Sequence, residues 1–290
     1  MRVLVFGGDG QLGQEFRRLG GRDGHQVIAL TKNQADITRP AVALAAVRDA
    51  GAEAVVNAAA YTAVERAENE PELAFSVNRD GARHVAAACA ERSLPVVHIS
   101  TDYVFDGTKQ GAYAADDPVA PMGVYGASKE AGERAVRDAH DRHVILRTSW
   151  VFGAYGHNFV KTMLRLGAER EKLGVVGDQF GCPTPAPDLA AAVLDILPLL
   201  GKGRWGTYHY CGTGRTSRYG FAKQIFELRE AITGAPPPRL CAIATAEFPT
   251  LAARPANSEL DCSGFAAAFG FAPRSWKPGL AEVLDQLLTA

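Results

Sequence analysis

The chain has 290 residues, 47% of which are hydrophobic, and a formal net charge of −1 at pH 7. This length and composition provide a sizeable core for one large domain or two interleaved ones. The near-zero charge excludes a basic field that would attract nucleic acid or an anionic membrane, so any anionic ligand must be held by a few local donors.

The cysteines and the N-terminus bear on the cellular compartment. The five cysteines form no short-range pair, which favours neither a disulfide framework nor a zinc site; they are Cys89, Cys182, Cys211, Cys241 and Cys262. The N-terminus lacks the apolar length of a signal peptide, and no later run approaches a membrane span. We therefore expect a soluble cytoplasmic protein.

Short continuous apolar runs alternate with amphipathic patterns over the first half of the chain. Continuous hydrophobicity is typical of strands buried on both faces of a parallel sheet. The predicted strands are Val3–Phe6, Val27–Leu30, Ala54–Asn57, Val96–Ser100 and Val144–Thr148. The predicted helices are Gln11–Leu19, Pro40–Ala50, Asp80–Arg92 and Ser128–His140. These repeated β-α units predict an α/β fold with a Rossmann-type doubly wound parallel sheet.

The pattern loosens after residue 150. Gly174–Pro187 is rich in glycine and proline and predicts a loop. The remaining predicted elements are the helices Pro187–Leu200 and Tyr219–Ile232 and the strand Thr207–Cys211. We expect an NAD(P)-binding Rossmann domain over residues 1–150, with a returning segment near 185–210. A smaller C-terminal α/β lobe over residues 151–290 is expected to bind the substrate at the carboxyl edge of the sheet.

Three glycines, Gly7, Gly10 and Gly13, follow the first predicted strand directly. Glycines at this spacing let the backbone turn sharply and approach a pyrophosphate, and the next helix offers free N–H groups to the phosphates. Their position between a strand and a helix favours a dinucleotide site over a tight turn without a ligand.

The second predicted strand ends at Thr31-Lys32-Asn33, without the acidic residue that NAD-preferring sites usually place there. Lys32 is suited to a 2′-phosphate, which favours NADPH, although NADH stays open and a solvated loop charge is the alternative. Asp36 and Ile37 are candidates for an adenine contact, with a turn cap as the alternative for Asp36.

A Tyr-x-x-x-Lys motif, Tyr125 to Lys129, runs into the start of the predicted helix Ser128–His140. Residues four apart share one helix face, so the ammonium is expected to lie near the phenol and lower its pKa. Thr101 ends the fourth predicted strand, at the sheet edge where a nicotinamide is expected. In the reaction that this set suggests, Tyr125 protonates a carbonyl oxygen, Thr101 orients the carbonyl and Lys129 tunes Tyr125.

Several longer segments carry a resemblance to known proteins. They are Ser100–Phe105, Val124–Lys129, Arg147–Phe152, Asn158–Leu164, Gly177–Thr184 and Arg254–Leu260. With the glycine motif they resemble the extended short-chain dehydrogenase/reductase superfamily and, within it, the dTDP-4-dehydrorhamnose reductases. The resemblance covers essentially the whole chain. It implies NADPH-dependent reduction of the 4-keto group of dTDP-4-dehydro-6-deoxy-L-mannose to dTDP-L-rhamnose.

The resemblance also implies residue roles. Thr101, Tyr125 and Lys129 are the implied catalytic residues. The implied cofactor contacts are Gly10, Gln11, Leu12, Asp36, Ile37, Ala60, Tyr61 and Thr62, and Tyr125 and Lys129 are counted with them. The implied substrate contacts are Thr101, Asp102 and Trp150 on the sugar, and Asn158 and Arg254 on the diphosphate.

This chain departs from the residue patterns of its superfamily at two informative positions. Tyr103 stands where sugar-nucleotide dehydratases carry glutamate, and without that base net reduction is favoured over dehydration. Glu15 matches one acidic residue with which some relatives hold Mg²⁺ at a dimer interface, but Pro187 stands where another is expected. We therefore expect no metal site, and a homodimer stays open.

Two alternatives to this function remain. One is another nucleotide-deoxysugar 4-ketoreductase, for instance of a streptose-type or antibiotic sugar pathway, because ring stereochemistry depends on the shape of the pocket. The other is a non-catalytic NADP-binding regulatory subunit, like that of methionine adenosyltransferase, which shares this fold.

Overall fold

A computed structural model describes residues 1–201 and 203–289. The strands, in chain order, are β1 (Arg2–Phe6), β2 (Gln26–Leu30), β3 (Ala54–Asn57), β4 (Val96–Thr101), β5 (His143–Thr148), β6 (Val151–Phe152), β7 (Lys172–Val176), β8 (Phe180–Gly181), β9 (Thr184–Pro185), β10 (Gly206–His209), β11 (Thr216–Ser217), β12 (Arg239–Ile243) and β13 (Asn257–Ser258). The helices are α1 (Gln11–Arg18), α2 (Pro40–Asp49), α3 (Val64–Ala67), α4 (Pro71–Phe75), α5 (Ala82–Glu91), α6 (Val124–Ala139), α7 (Phe159–Glu169), α8 (Ala186–Ile196), α9 (Arg218–Thr233), α10 (Ser263–Phe269) and α11 (Trp276–Leu288).

The central sheet has the order β10-β5-β4-β3-β1-β2, and every neighbouring pair is parallel. This confirms the predicted Rossmann-type parallel sheet. Because β2 and β3 lie on opposite sides of β1, a crevice opens at the carboxyl ends of β1 and β3, where ligands bind in open α/β sheets.

Helices cover both faces of this sheet, so its inner strands are buried on both sides, while the edge strands β2 and β10 are only partly buried. One core packs α1 and α8 against the sheet, and the other packs α2 and α5 against the opposite face. A separate core joins α7, α9 and α11 with β7. Phe265 and Phe269 of α10 return to the first core, so the C-terminal third of the chain contributes to both of these cores. Within the described residues, no helix combines the length and apolar character that a membrane crossing requires.

The prediction of a loop over Gly174–Pro187 is wrong in part. It contains the end of β7, which pairs with β12, and the short strands β8 and β9. Strand β8 lies between β11 and β13 in a small sheet. The partners of these strands are far away in sequence, so local glycine and proline content does not reveal the pairing.

A buried ion pair ties α6 to the central sheet. Glu133 of α6 accepts hydrogen bonds from Nε and Nη2 of Arg147 on β5, at 2.9 and 2.8 Å, and from the hydroxyl of Ser100 on β4 at 2.6 Å. Burial opposes the ionisation of Glu133, but the hydrogen bonds and charge of Arg147 outweigh it, so the pKa of Glu133 lies below its usual value. The carboxylate is therefore ionised and holds the helix against two strands.

Replacing Glu133 by glutamine tests this tie. The change leaves the Arg147 charge buried without its main counterion, which typically costs about 3–5 kcal/mol. We expect a loss of that size in the free energy of unfolding, measured by urea denaturation. The control is Glu169→Gln, which breaks an exposed pair with Arg165 (3.0 Å) and should cost less than about 1 kcal/mol. Equal losses for the two variants would contradict the proposed importance of the buried pair.

Candidate active site

A cavity of about 1290 Å³ opens at the carboxyl edge of the central sheet. It runs from the glycine-rich turn after β1, past the ends of β3 and β4, to α7 and β7 of the C-terminal lobe. Pockets for one drug-sized ligand usually measure about 300–1,000 Å³. A volume above that range can hold a dinucleotide and a second ligand side by side.

The structure brings the three predicted catalytic residues together in this cavity. Thr101 is the last residue of β4, and Tyr125 and Lys129 lie one turn apart near the start of α6. Helix α6 begins at Val124, four residues earlier than predicted, because the Glu68 carboxylate accepts a hydrogen bond from the Val124 N–H at 2.9 Å. This cap, from the residue that follows α3, holds Tyr125 within the first helical turn.

The charge environment of Tyr125 differs from the one expected. Burial raises the pKa of the phenol, and the Thr101 hydroxyl acts in the opposite direction. Lys129 donates to the carbonyl of Ile99 at 2.6 Å, and among the described residues it forms no hydrogen bond with Tyr125. Burial lowers the pKa of Lys129 to about 8. Tyr125 is thus a neutral acid beside a lysine that is still mostly charged at neutral pH.

Asp102 controls the orientation of Thr101. The Thr101 hydroxyl donates to Oδ1 of Asp102 at 2.9 Å and accepts from the backbone N–H of Tyr103 at 3.2 Å. Burial raises the pKa of Asp102 to about 6. The hydroxyl proton of Thr101 is therefore engaged, and this residue must turn from Asp102 before it can donate to a ketone.

The glycine-rich turn fits a dinucleotide. Gly7 has φ +90°, and a Cβ atom there would lie 2.7 Å from the backbone nitrogen of Ala59. A Cβ at Gly13 would overlap the carbonyl oxygen of Gly7, so Gly13 permits close packing of α1 and does not line the cavity. No side chain caps the start of α1 among the described residues, which leaves its N–H groups available to a phosphate.

The other predicted cofactor residues divide into two groups. Those that line the cavity are Gly7, Gly10, Gln11, Leu12, Lys32, Ile37, Ala60, Tyr61 and Thr62. Asp36 does not line it, because its carboxylate accepts from the backbone N–H and the hydroxyl of Thr38 at 3.0 and 2.8 Å. The turn-cap alternative therefore describes the geometry of Asp36.

Two predicted substrate residues, Trp150 and Asn158, also have a role in the structure around the cavity. Trp150 lines the cavity in a left-handed backbone conformation, with φ +47°. Asn158 caps α7, and its amide nitrogen donates to Oε1 of Gln11 and to the carbonyl of Gly153, both at 2.8 Å. Asn158 thus joins the C-terminal lobe to the glycine-rich turn, and its contact with a diphosphate stays a prediction.

Arg254 lines the cavity and is paired with Glu65 at 2.6 Å. Arg218, at the start of α9, also lines the cavity, and it is not among the site residues that the sequence predicts. Its guanidinium lies 3.6 Å from the centroid of the Trp150 ring. No local motif surrounds Arg218, and only the fold shows that it meets Trp150.

The predicted absence of a metal site stays a prediction. Glu15 is buried and accepts from Arg18 at 2.8 Å, so it is engaged in an ion pair. In the part of the chain that the structure describes, no group of three or more His, Cys, Asp or Glu side chains is arranged to hold a metal ion.

Comparisons with known proteins bear on this site. The family model described as RmlD substrate binding domain matches residues 1–289. The dTDP-4-dehydrorhamnose reductase of Sinorhizobium fredii is 41% identical over 292 residues, covering 99% of this chain and 98% of that protein. The enzyme of the same name from Escherichia coli is 39% identical over 295 residues, covering 100% and 99%. The chain belongs to the dTDP-4-dehydrorhamnose reductase family.

The solved structures extend this membership to the three-dimensional fold. The dTDP-4-dehydrorhamnose reductase of Bacillus anthracis, solved in complex with NADP, matches with a TM-score of 0.91 and 37% identity, covering 98% of this chain and 99% of that one. The family resemblance drawn from the motifs is thus confirmed, and the similarity spans nearly the whole of this member of the dTDP-4-dehydrorhamnose reductase family.

The buried ammonium predicts a pH-dependent stability. The pKa of Lys129 is about 8 in the folded chain, below the unfolded value of about 10.4. Lys129 therefore contributes stability above the unfolded pKa that is lost as the pH falls through 8. Without cofactor, we expect wild-type unfolding free energy, relative to Lys129→Met, to rise by about 2 kcal/mol between about pH 7 and about pH 9.5.

Urea denaturation at the two pH values measures this difference. The control is Lys223→Met, which changes an exposed lysine. The difference in unfolding free energy between wild type and this variant should not change with pH. A pH-independent difference for Lys129→Met would show that the ammonium is not desolvated.

Proposed function

We propose that the chain is an NADPH-dependent reductase of the 4-keto group of dTDP-4-dehydro-6-deoxy-L-mannose, giving dTDP-L-rhamnose. The observation that carries the proposal is that Thr101, Tyr125 and Lys129 line the same cavity as the glycine-rich turn. The relatives of this chain support the same proposal. Those from Sinorhizobium fredii and Escherichia coli, at about 40% identity over the full length, are named for this reaction.

The chain's own residues supply a proton and hold the carbonyl group. When bound, NADPH supplies a hydride to the carbonyl carbon. Tyr125 donates its phenolic proton to the carbonyl oxygen, so a ketone becomes a secondary alcohol and a phenolate remains. Thr101, once turned from Asp102, orients the carbonyl by a hydrogen bond. Lys129 lies one helical turn from Tyr125, and its positive charge is proposed to favour the phenolate as the proton leaves.

Tyr103 supports reduction rather than dehydration. Its ring lies edge-on to the ring of Tyr125, with the centroids 5.4 Å apart. Burial raises the pKa of the Tyr103 phenol, so it is neutral at physiological pH. A neutral phenol does not replace the glutamate base that dehydratases carry at this position.

The reaction is proposed to take place in the cytoplasm. All five cysteines are free thiols, which is compatible with a reducing compartment. The homodimer stays a prediction, and light scattering of the purified protein tests it.

The decisive experiment supplies the keto sugar and follows NADPH oxidation by its absorbance. We expect NADPH consumption, and NMR of the product sugar should give the configuration of L-rhamnose. Another ring configuration would favour a different deoxysugar reductase. A folded protein that binds NADPH but consumes none would favour the regulatory alternative.

Tyr125→Phe tests the proton donor. General acid catalysis typically contributes a factor of about 10² to 10⁴, so we expect kcat to fall by that factor while NADPH binding is retained. The control is Tyr208→Phe, which changes a tyrosine packed on Phe269 and should keep wild-type turnover. Near-normal turnover by Tyr125→Phe would identify a different donor.

Lys32→Glu tests the cofactor preference. Lys32 lines the cavity beyond β2, and a carboxylate there would repel a 2′-phosphate and accept from a ribose hydroxyl. We expect the ratio of kcat/KM for NADPH to that for NADH to fall at least about tenfold, as for the loss of a charge-assisted hydrogen bond. Lys277→Glu, on α11, should leave the ratio unchanged. An unchanged ratio for Lys32→Glu as well would show that this lysine does not reach the phosphate.

A further inference from the structure

Arg218 has an unusual setting for a cation that lines a cavity. Its backbone N–H donates to the carbonyl of Gln179 at 3.1 Å, which fixes the start of α9 beside the cavity. The guanidinium lies 3.6 Å from the centroid of the Trp150 ring and 5.4 Å from that of Phe159. Stacking on aromatic rings therefore holds this side chain in place.

Trp150 is a rigid support for that stack. Its backbone has φ +47°, a conformation that residues other than glycine seldom adopt. A Cβ atom at Gly181 would lie 2.7 Å from Cε2 of the indole, so the ring packs directly on the backbone of β8. The indole is thus fixed between a strand and the guanidinium, and it presents Arg218 to the cavity.

No carboxylate is paired directly with Arg218. Across residues 1–201 and 203–289 it forms no salt bridge, and the polar side chains that act on its guanidinium are the Tyr103 phenol, as a hydrogen-bond partner, and the Asp102 carboxylate. The contrast with Arg254 is direct, because Arg254 is held by Glu65 at 2.6 Å. Asp102 lies near enough to attract Arg218 electrostatically, but the two groups form no salt bridge; Oδ1 of Asp102 accepts from Thr101, and its buried Oδ2 has no hydrogen-bond partner among the described residues.

A partly buried cation without a directly paired counterion costs free energy, and a bound anion offsets that cost. Burial lowers the pKa of Arg218 to about 10, so the group stays charged at neutral pH. The planar guanidinium keeps its N–H donors in a fork that matches two phosphate oxygens, and stacking leaves their in-plane directions free.

We propose that Arg218 is the principal cationic contact for the diphosphate of the nucleotide-sugar substrate, and so a specificity-determining residue outside the catalytic set. This inference rests on the proposed function, which supplies the diphosphate-linked sugar. Arg254, already paired with Glu65, is then the secondary contact.

Binding of dTDP to the NADP-loaded protein tests the proposal by calorimetry. Loss of one charge-assisted contact should weaken dTDP binding about 10- to 100-fold in Arg218→Gln. Thymidine, which has no phosphate, should bind the variant as it binds the wild type, as followed by ligand-observed NMR. Arg218→Lys, which keeps the charge but loses the planar fork, should recover part of the dTDP affinity.

Arg215→Gln is a matched control. Arg215 also stacks on an aromatic ring, that of Phe180 at 4.0 Å, but it is paired with Glu259 at 3.4 Å and does not line the cavity. This variant should bind dTDP as the wild type does. The proposal is overturned if Arg218→Gln keeps its dTDP affinity within about twofold. Equal losses for dTDP and thymidine would also overturn it, since the role would then be structural.

Turnover separates this inference from the proposed function. In an active reductase, Arg218→Gln should raise KM for the keto sugar at least about tenfold and change kcat less than KM, because the diphosphate takes no part in the bond changes at the carbonyl. An active wild type with an unchanged KM in the variant would refute the role of Arg218 alone. A wild type that binds dTDP through Arg218 but does not reduce the keto sugar would refute the proposed reaction alone.

Discussion

The ion pair between Glu133 and Arg147 is the contact on which the geometry of the site depends. It joins α6 to β5, and Ser100 adds a hydrogen bond from β4 to the same carboxylate. Thr101 follows Ser100 directly, and Lys129 precedes Glu133 by one helical turn. The polar network that stabilises the helix thereby sets the distance between the end of β4 and the helix face that carries Tyr125 and Lys129.

Around this contact, the cavity gathers groups whose burial opposes their charged forms. Lys129, Asp102 and Arg218 each have a pKa moved towards neutrality by burial. Such an arrangement lowers stability, and the apolar cores on both faces of the sheet and in the C-terminal lobe offset it. Perturbed groups that converge in a cleft are typical of sites where protons or anionic ligands are handled.

Specific side-chain contacts join the segments on either side of the cavity. Asn158 connects α7 to Gln11 of the glycine-rich turn. Glu65 in α3 accepts hydrogen bonds from the backbone of Leu251 and Ala252 and pairs with Arg254. The cofactor crevice and the far end of the cavity are therefore linked through side chains that also line or border the binding space.

Much of the first lobe was determined by local sequence. Continuous apolar runs located β1 to β5, and the spacing of Gly7, Gly10 and Gly13 located the crevice, because periodicity and backbone freedom are properties of neighbouring residues. The one-turn spacing of Tyr125 and Lys129 likewise followed from helical geometry. Tertiary structure decided which distant groups each side chain meets: Lys129 bonds Ile99, Asp36 caps a turn, β7 pairs with β12, and Arg218 stacks on Trp150. Hydrogen bonds, strand pairing and desolvation depend on partners brought together by folding, and no local pattern records them.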